Sequence, residues 1–151
     1  MVNYNGLKVA AFGEILFDII DGEERIGGAP LNFAANIAAL GADIELLSAL
    51  GCDKRAQAAL EKLFYYGVGS EFVMQLKDYP TGIVEVKVCR NGQPTYDIIE
   101  SVAYDYINYN KKLIDSIASK KWDAFYFGTL AQRNKTSRES LYSLLENISV
   151  E

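Results

Sequence analysis

The sequence predicts an α/β fold: buried strands alternating with helices, with a β insertion between them. Three observations predict it. The runs 7–11, 44–50 and 122–127 are apolar and β-rich, as strands of a covered sheet are. Segments of helical length with apolar residues at helical spacing separate or follow them. Between the second and third runs the pattern changes to two β-type stretches around Asn91-Gly92, the strongest short-range hairpin signal.

Taken in order, Leu7 to Ala11 reads as the first buried strand, ending at Phe12-Gly13-Glu14, and Ile15 to Ile20 extends it. Asp21-Gly22 marks a turn. Gly27-Gly28-Ala29-Pro30 leads into an alanine-rich helix that closes at Leu40-Gly41, with proline in the first turn and glycine past the end. Ile44 to Leu50 is the second strand. Residues 53–66 form a helix carrying Ala56, Leu60, Leu63 and Phe64, stopped by Gly67. The hairpin runs from Ile83 to Arg90 and from Gln93 to Ile99. Pairing outward from a two-residue turn sets Val88 opposite Thr95, Val86 opposite Asp97 and Val84 opposite Ile99. Neither face is then purely apolar, which fits a flap better than a core. Residues 110–118 read as a helix, and Trp122 to Phe127 as a third buried strand closing at Gly128. A helix over 136–147 places Leu141, Leu144, Leu145 and Ile148 on one side. Repeats, linkers and low-complexity segments are absent from the sequence. Three strands make a small sheet against the usual five or six or so, and no strand follows the last helix. The expectation is the first half of a larger fold, or a half completed by another chain.

A chain of 151 residues has room for one domain. With half its residues hydrophobic, a compact form can bury about 70% of the unfolded chain's surface without needing a disulfide or metal. Twenty acidic against fifteen basic side chains leave a net charge of −5. Affinity for phosphate backbones or anionic lipid comes from Lys and Arg, so neither nucleic acid nor a membrane is an expected partner. The sequence has no histidine, which removes imidazole metal sites, Ser-His-Asp triads and histidine bases. Acid–base chemistry must use carboxylates or lysines. Cys52 and Cys89 lie far apart and match no metal-ligand pairing; they read as reduced thiols of a reducing compartment. The opening MVNYNGLKVAAFGE carries neither a long apolar stretch nor a cleavage pattern, and the expected location is the cytoplasm.

Several residues could carry chemistry. Gly27 and Gly28 precede a helix N-terminus, where backbone N–H groups approach a polar ligand closely; a flexible turn is the plain alternative. They are no nucleotide fingerprint, since neither GxGxxG after a strand nor GxxxxGK[ST] occurs. Asn32 and Asn36 share a face of an otherwise apolar helix, where a buried amide needs partners. Sugar hydroxyls would serve, and so would nearby loop backbone. Asp18 follows a buried strand, and its carboxylate could accept two vicinal hydroxyls or merely cap a turn. Gln132 and Arg133 come just after the third strand, at the carboxyl end where open α/β sheets place ligands. Arg133 could hold a hydroxyl or a phosphate, or lie on the surface within the basic stretch 133–138. Trp122, Tyr65 and Tyr66 read as core and edge packing.

In GEILFD, GGAPLNFAANIAALG, GCD, GV, PTG and the NG hairpin, the sequence resembles the N-terminal half of the pfkB (ribokinase-like) sugar kinases. Within that family it looks most like the fructokinases, through Phe12 to Asp18, Pro80-Thr81-Gly82 and Phe127 to Arg133. The motifs keep the family's order and spacing over nearly the whole chain. The resemblance implies a ribokinase-like three-layer α/β sandwich, represented by its N-terminal part over 1–151, with an inserted β-hairpin lid from segments about 15–26 and 81–100. It implies that Asp18, Gly27, Gly28 and Asn32 hold sugar hydroxyls, that Tyr96 reaches the sugar from the lid, and that the lid mediates a homodimer. ATP and Mg2+ are implied for the complete enzyme. The family's catalytic aspartate lies in a GAGD-type motif of the C-terminal half, which this sequence lacks. The chain alone is therefore expected to bind neither ATP nor Mg2+ and not to turn over. Two departures stand out: Ile98-Ile99-Glu100 replaces an aromatic–Tyr–Arg run common in the second lid strand, and no glycine occurs near Ala56 or Gln57. The first leaves 2-keto-3-deoxygluconate, ribose or a nucleoside as alternatives to fructose. The rival class is a non-catalytic sugar-binding or assembly module.

Overall fold

Alternate residues of β1 (Lys8–Phe12) enter two different cores: Val9 and Ala11 one, Ala10 and Phe12 the other. A strand buried on both faces belongs inside a sheet with helices on either side. The computed structural model, which describes residues 6–88 and 93–150, has that arrangement. β1 lies between β4 (Asp43–Leu50) and β8 (Ala124–Phe127), parallel to both, and β5 (Val73–Gln75) extends the sheet beyond β4. The order is β5-β4-β1-β8. Helices α1 (Ala29–Ala39) and α2 (Lys54–Tyr66) cover one face through Leu31, Ala34, Ala56, Ala59 and Leu63. Helices α3 (Lys111–Ser119) and α4 (Lys135–Asn147) cover the other through Ile117, Leu141 and Leu144. Asp53 caps α2 by accepting from the Ala56 N–H at 2.9 Å, and Gly67 ends it at φ 71°.

A second sheet has the order β3-β2-β6-β7. Its strands are β2 (Leu16–Ile20), β3 (Glu23–Gly27), β6 (Gly82–Val88) and β7 (Pro94–Ile98). β2 pairs antiparallel with β3 and parallel with β6, and β6 pairs antiparallel with β7.

Four sequence expectations need correction. Ile15 to Ile20 does not extend β1. The chain turns at Gly13, φ 145°, where a Cβ would stand 2.5 Å from Pro30 Cγ, and it enters the second sheet. The hairpin register is shifted by one residue: Val84 faces Ile98, Val86 faces Tyr96 and Val88 faces Pro94. Five residues, 89–93, then separate the last pair, an odd number that a two-residue turn cannot close. The Asn91-Gly92 turn itself, with Cys89, lies outside the described residues. A slip of one moves every side chain to the other face, so the strands are sorted after all. Val84, Val86, Tyr96 and Ile98 share one face; Glu85, Lys87, Thr95 and Asp97 share the other. β8 is an edge strand with Phe127 43% exposed, because among the described residues no strand pairs along its outer side and only the single bridge between Trp122 and Val150 forms just before it. Finally, Phe64 and Leu145 point outward; Ala59 on α2 and Ser137 and Ser140 on α4 occupy the buried faces.

Candidate functional site

From β1 the chain moves through α1 to β4 and through α2 to β5, then returns to place β8 on the opposite flank of β1. That reversal makes a topological switch point at the carboxyl ends of β1 and β8, the position where open α/β sheets bind ligands. Gly13 and Gly128 let the N-terminus of α1 settle over it. A Cβ on Gly128 would lie 3.1 Å from Pro30 Cγ and 3.2 Å from Glu14 Oε2.

Glu14 lies just past the carboxyl end of β1. It is 3% exposed, and its Oε1 accepts from the Ala29 N–H at 3.1 Å. Its Oε2 is buried with no partner among the described residues. Burial pushes the Glu14 pKa up, against the opposing pull of its own N–H, those of Ala29 and Ala131, and the charge of Arg133. Gly28, the N-cap of α1, adopts φ 115° and offers no side-chain cap; a Cβ there would run into the Glu14 carbonyl. Only glycine tolerates both constraints.

Asp18 stands on β2 beside Gly27. A Cβ on Gly27 would come 2.8 Å from Asp18 Oδ2, so the missing side chain is what gives the carboxylate its place. Asp18 is half-buried and accepts no hydrogen bond from a described residue, and desolvation raises its pKa. The register puts Asp18, Val84 and Ile98 in one row and Ile20, Val86 and Tyr96 in the next, on the same face. Strand spacing then separates Asp18 and Tyr96 by roughly 12 Å between Cα atoms. Tyr96 is 62% exposed.

The other expected site residues are placed differently. Asn32 and Asn36 are both exposed, so the expected buried amide is corrected; the Asn36 side chain donates to the Asn32 carbonyl at 2.7 Å. Gln132 folds back, donating to the Gly128 carbonyl at 2.8 Å. Arg133 forms a two-pronged pair with Asp105 at 2.7 and 2.8 Å.

Sequence reasoning missed four residues. Glu14 gave a signal, an acid directly after the glycine that ends a buried strand. Asp53 did too, standing just before a helix. It binds Thr81 twice, accepting from the backbone N–H at 2.8 Å and from Oγ1 at 2.7 Å, while the Gly51 N–H donates to Thr81 Oγ1 at 3.0 Å. Burial favours protonation of Asp53, but these bonds and that from Ala56 outweigh it and hold the carboxyl below its ordinary value. Asp105 and Tyr104 gave none; their partners are distant in sequence. A separate cavity of about 620 Å³ opens at the amino ends of β1 and β4, lined by Lys8, Asp43, Glu45, Lys120 and Trp122 among others. It is far from the switch point and lacks the fold's ligand-binding position.

Comparison with known proteins decides the family. The family model described as pfkB family carbohydrate kinase matches residues 3–148. The chain belongs to the pfkB carbohydrate kinases. The uncharacterized sugar kinase PH1459 from Pyrococcus horikoshii is 27% identical, over 93% of this chain and 48% of its own length. Its crystal structure with ATP superposes with a TM-score of 0.80, at 24% identity, over 91% of this chain and 48% of that one. The apo fructokinase of Vibrio cholerae O395 superposes at 0.81 and 21% identity, over 95% of this chain and 50% of that one; the same enzyme is known with fructose, ADP and calcium bound. The fold is thus the α/β fold of the ribokinase-like fructokinase structures. This pfkB-family chain spans about half the length of the relatives it matches.

Proposed function

We propose that this chain is the sugar-binding half of an ATP-dependent, fructokinase-like kinase that phosphorylates a sugar hydroxyl. One observation carries the reading. A half-buried carboxylate with no hydrogen-bond partner among the described residues, Asp18, stands over Gly27 next to the glycine-capped start of α1. A carboxylate accepts two vicinal hydroxyls; the backbone at Gly27 and Gly28 and the exposed amide of Asn32 complete the grip. The second sheet acts as the lid, and Tyr96 meets the sugar from it. These residues orient the sugar. Proton abstraction and phosphoryl stabilisation need a base and charge around the phosphates, which in this family come with the GAGD-type motif absent from this sequence.

ATP and Mg2+ belong to the complete enzyme. Among the described residues no three His, Cys, Asp or Glu side chains gather as a metal site would require. The half-exposed apolar face of the lid, with Tyr96 and Ile98, supports a homodimer through this sheet. Sedimentation at rising concentration tests it: a monomer throughout contradicts it. The exposed free thiol of Cys52 supports a cytoplasmic location. No helix among the described residues is long and apolar enough to cross a membrane.

The test is calorimetric titration with fructose, then with ribose, 2-keto-3-deoxygluconate and a nucleoside. Saturable heat with fructose that vanishes in Asp18→Ala supports the assignment. Saturable heat with another member of the panel reassigns the sugar. Silence across the panel leaves the assembly module as the better account.

A further inference from the structure

The chain crosses between the two sheets at four points, and the crossings that bound β6 and β7 meet at one buried cluster. β6 begins at Gly82, where a Cβ would lie 2.5 Å from Tyr104 Cε1. β7 ends at Ile98. The Arg133 guanidinium sits 5.1 Å from the centre of the Tyr104 ring. It donates from Nε to Asp105 Oδ1 at 2.7 Å and from Nη2 to Asp105 Oδ2 at 2.8 Å. Nη2 also reaches the Ile99 carbonyl at 2.6 Å, and Nη1 the Ile98 carbonyl at 3.5 Å. Asp105, 1% exposed, accepts in addition from the Val102 N–H at 3.3 Å. The Ala103 N–H donates to the Pro80 carbonyl at 2.8 Å, tying the strand that enters the small sheet to the one that leaves it. Between them Ser101 holds φ 59°, a left-handed conformation that a serine keeps only where its surroundings impose it.

We propose that Arg133 is a positioning residue: through Asp105 and the carbonyls of Ile98 and Ile99 it fixes the attitude of the small sheet, which carries Asp18, relative to the carboxyl ends of β1 and β8. What the sheet covers rests on the sugar reading above; the anchoring does not. Arg133 enters sequence reasoning as a ligand for hydroxyl or phosphate, yet its donors reach protein acceptors. It acts on the substrate through the lid it anchors. A planar fork serving a carboxylate and two carbonyls at once is a task that lysine cannot reproduce.

The test compares the chain with Arg133→Lys and with the double variant Arg133→Met/Asp105→Asn, which removes the pair without stranding a buried charge. Amide hydrogen exchange is read separately for β6 and for β1 and β4. The proposal predicts exchange about tenfold faster or more in residues 82–88, with β1 and β4 unchanged. It also predicts fructose affinity weakened about tenfold in Arg133→Lys, as loss of pre-organisation would give. Unchanged β6 exchange in both variants overturns the proposal, as does a uniform rise in all three strands, which a merely structural role would give. Accelerated β6 exchange with undiminished fructose affinity overturns the positioning role. If the parent chain binds no fructose, the sugar reading fails instead, and the exchange data alone uphold or overturn the anchor.

Discussion

At the residue scale, the site is a set of acids in unequal circumstances. Glu14 is buried with one oxygen unserved, so its pKa in the folded state is raised above the ordinary 4.5. The folded chain holds that proton where the unfolded chain has released it. Stability from this group is therefore full below the ordinary value and declines as pH rises through the folded one. Glu14→Gln should flatten that decline: from pH 4.5 to 7 the variant should lose fewer degrees of Tm than the parent. Parallel curves would contradict the assignment. Asp53 has the opposite sign, its pKa lowered below 3.8; its contribution is present above that value and lost as pH falls through the folded one. Asp18 stands apart, half-buried and without a hydrogen-bond partner among the described residues. Its replacement by alanine should leave Tm nearly unchanged while removing sugar affinity, a combination that calorimetry and thermal unfolding read together.

At the element scale, glycines and caps set where strands leave the sheets. Asp53 serves both as the cap of α2 and as the anchor of Thr81, where β6 begins. Asp53→Ala should cost about 2–3 kcal/mol in urea unfolding, a cap of about 1 plus the bonds to Thr81. A loss no larger than a cap alone would deny the anchor. Gly28→Ala should cost about 1–3 kcal/mol for the positive φ, and more for the collision with the Glu14 carbonyl. The regular elements were legible because each carries its own punctuation: Pro30 and Gly41 around α1, Asp53 and Gly67 around α2. What escaped depended on partners far along the chain. The apolar stretch Ile15 to Ile20 looks like more of β1 until a second sheet exists to receive it. The register of β6 and β7 follows from the length of their turn, and an Asn-Gly pair alone does not fix that length. Val73–Gln75 is too short and weakly patterned to announce β5. Of the candidate site, Asp18 and Gly27 each stand in a motif the sequence shows, and they lie side by side in space. The Arg133–Asp105 pair spans 28 residues and leaves no local trace.

At the scale of the molecule, the central sheet ends on β8, whose aromatic side chains remain half-exposed, and the relatives are about twice as long. On the proposed reading the chain supplies the sugar-binding carboxylate, Asp18, and lacks the GAGD-type motif. Incubated with ATP, Mg2+ and fructose, it should form no sugar phosphate by 31P NMR; turnover would show that a base outside that motif suffices. The most direct measurement is a fructose titration followed by backbone amide NMR. The account predicts saturable shifts at Asp18, Gly27, Gly28 and Asn32, with Asp43, Glu45 and Trp122 at the opposite end of the sheet unmoved. Shifts confined to that opposite cavity, or none at any concentration, would contradict it.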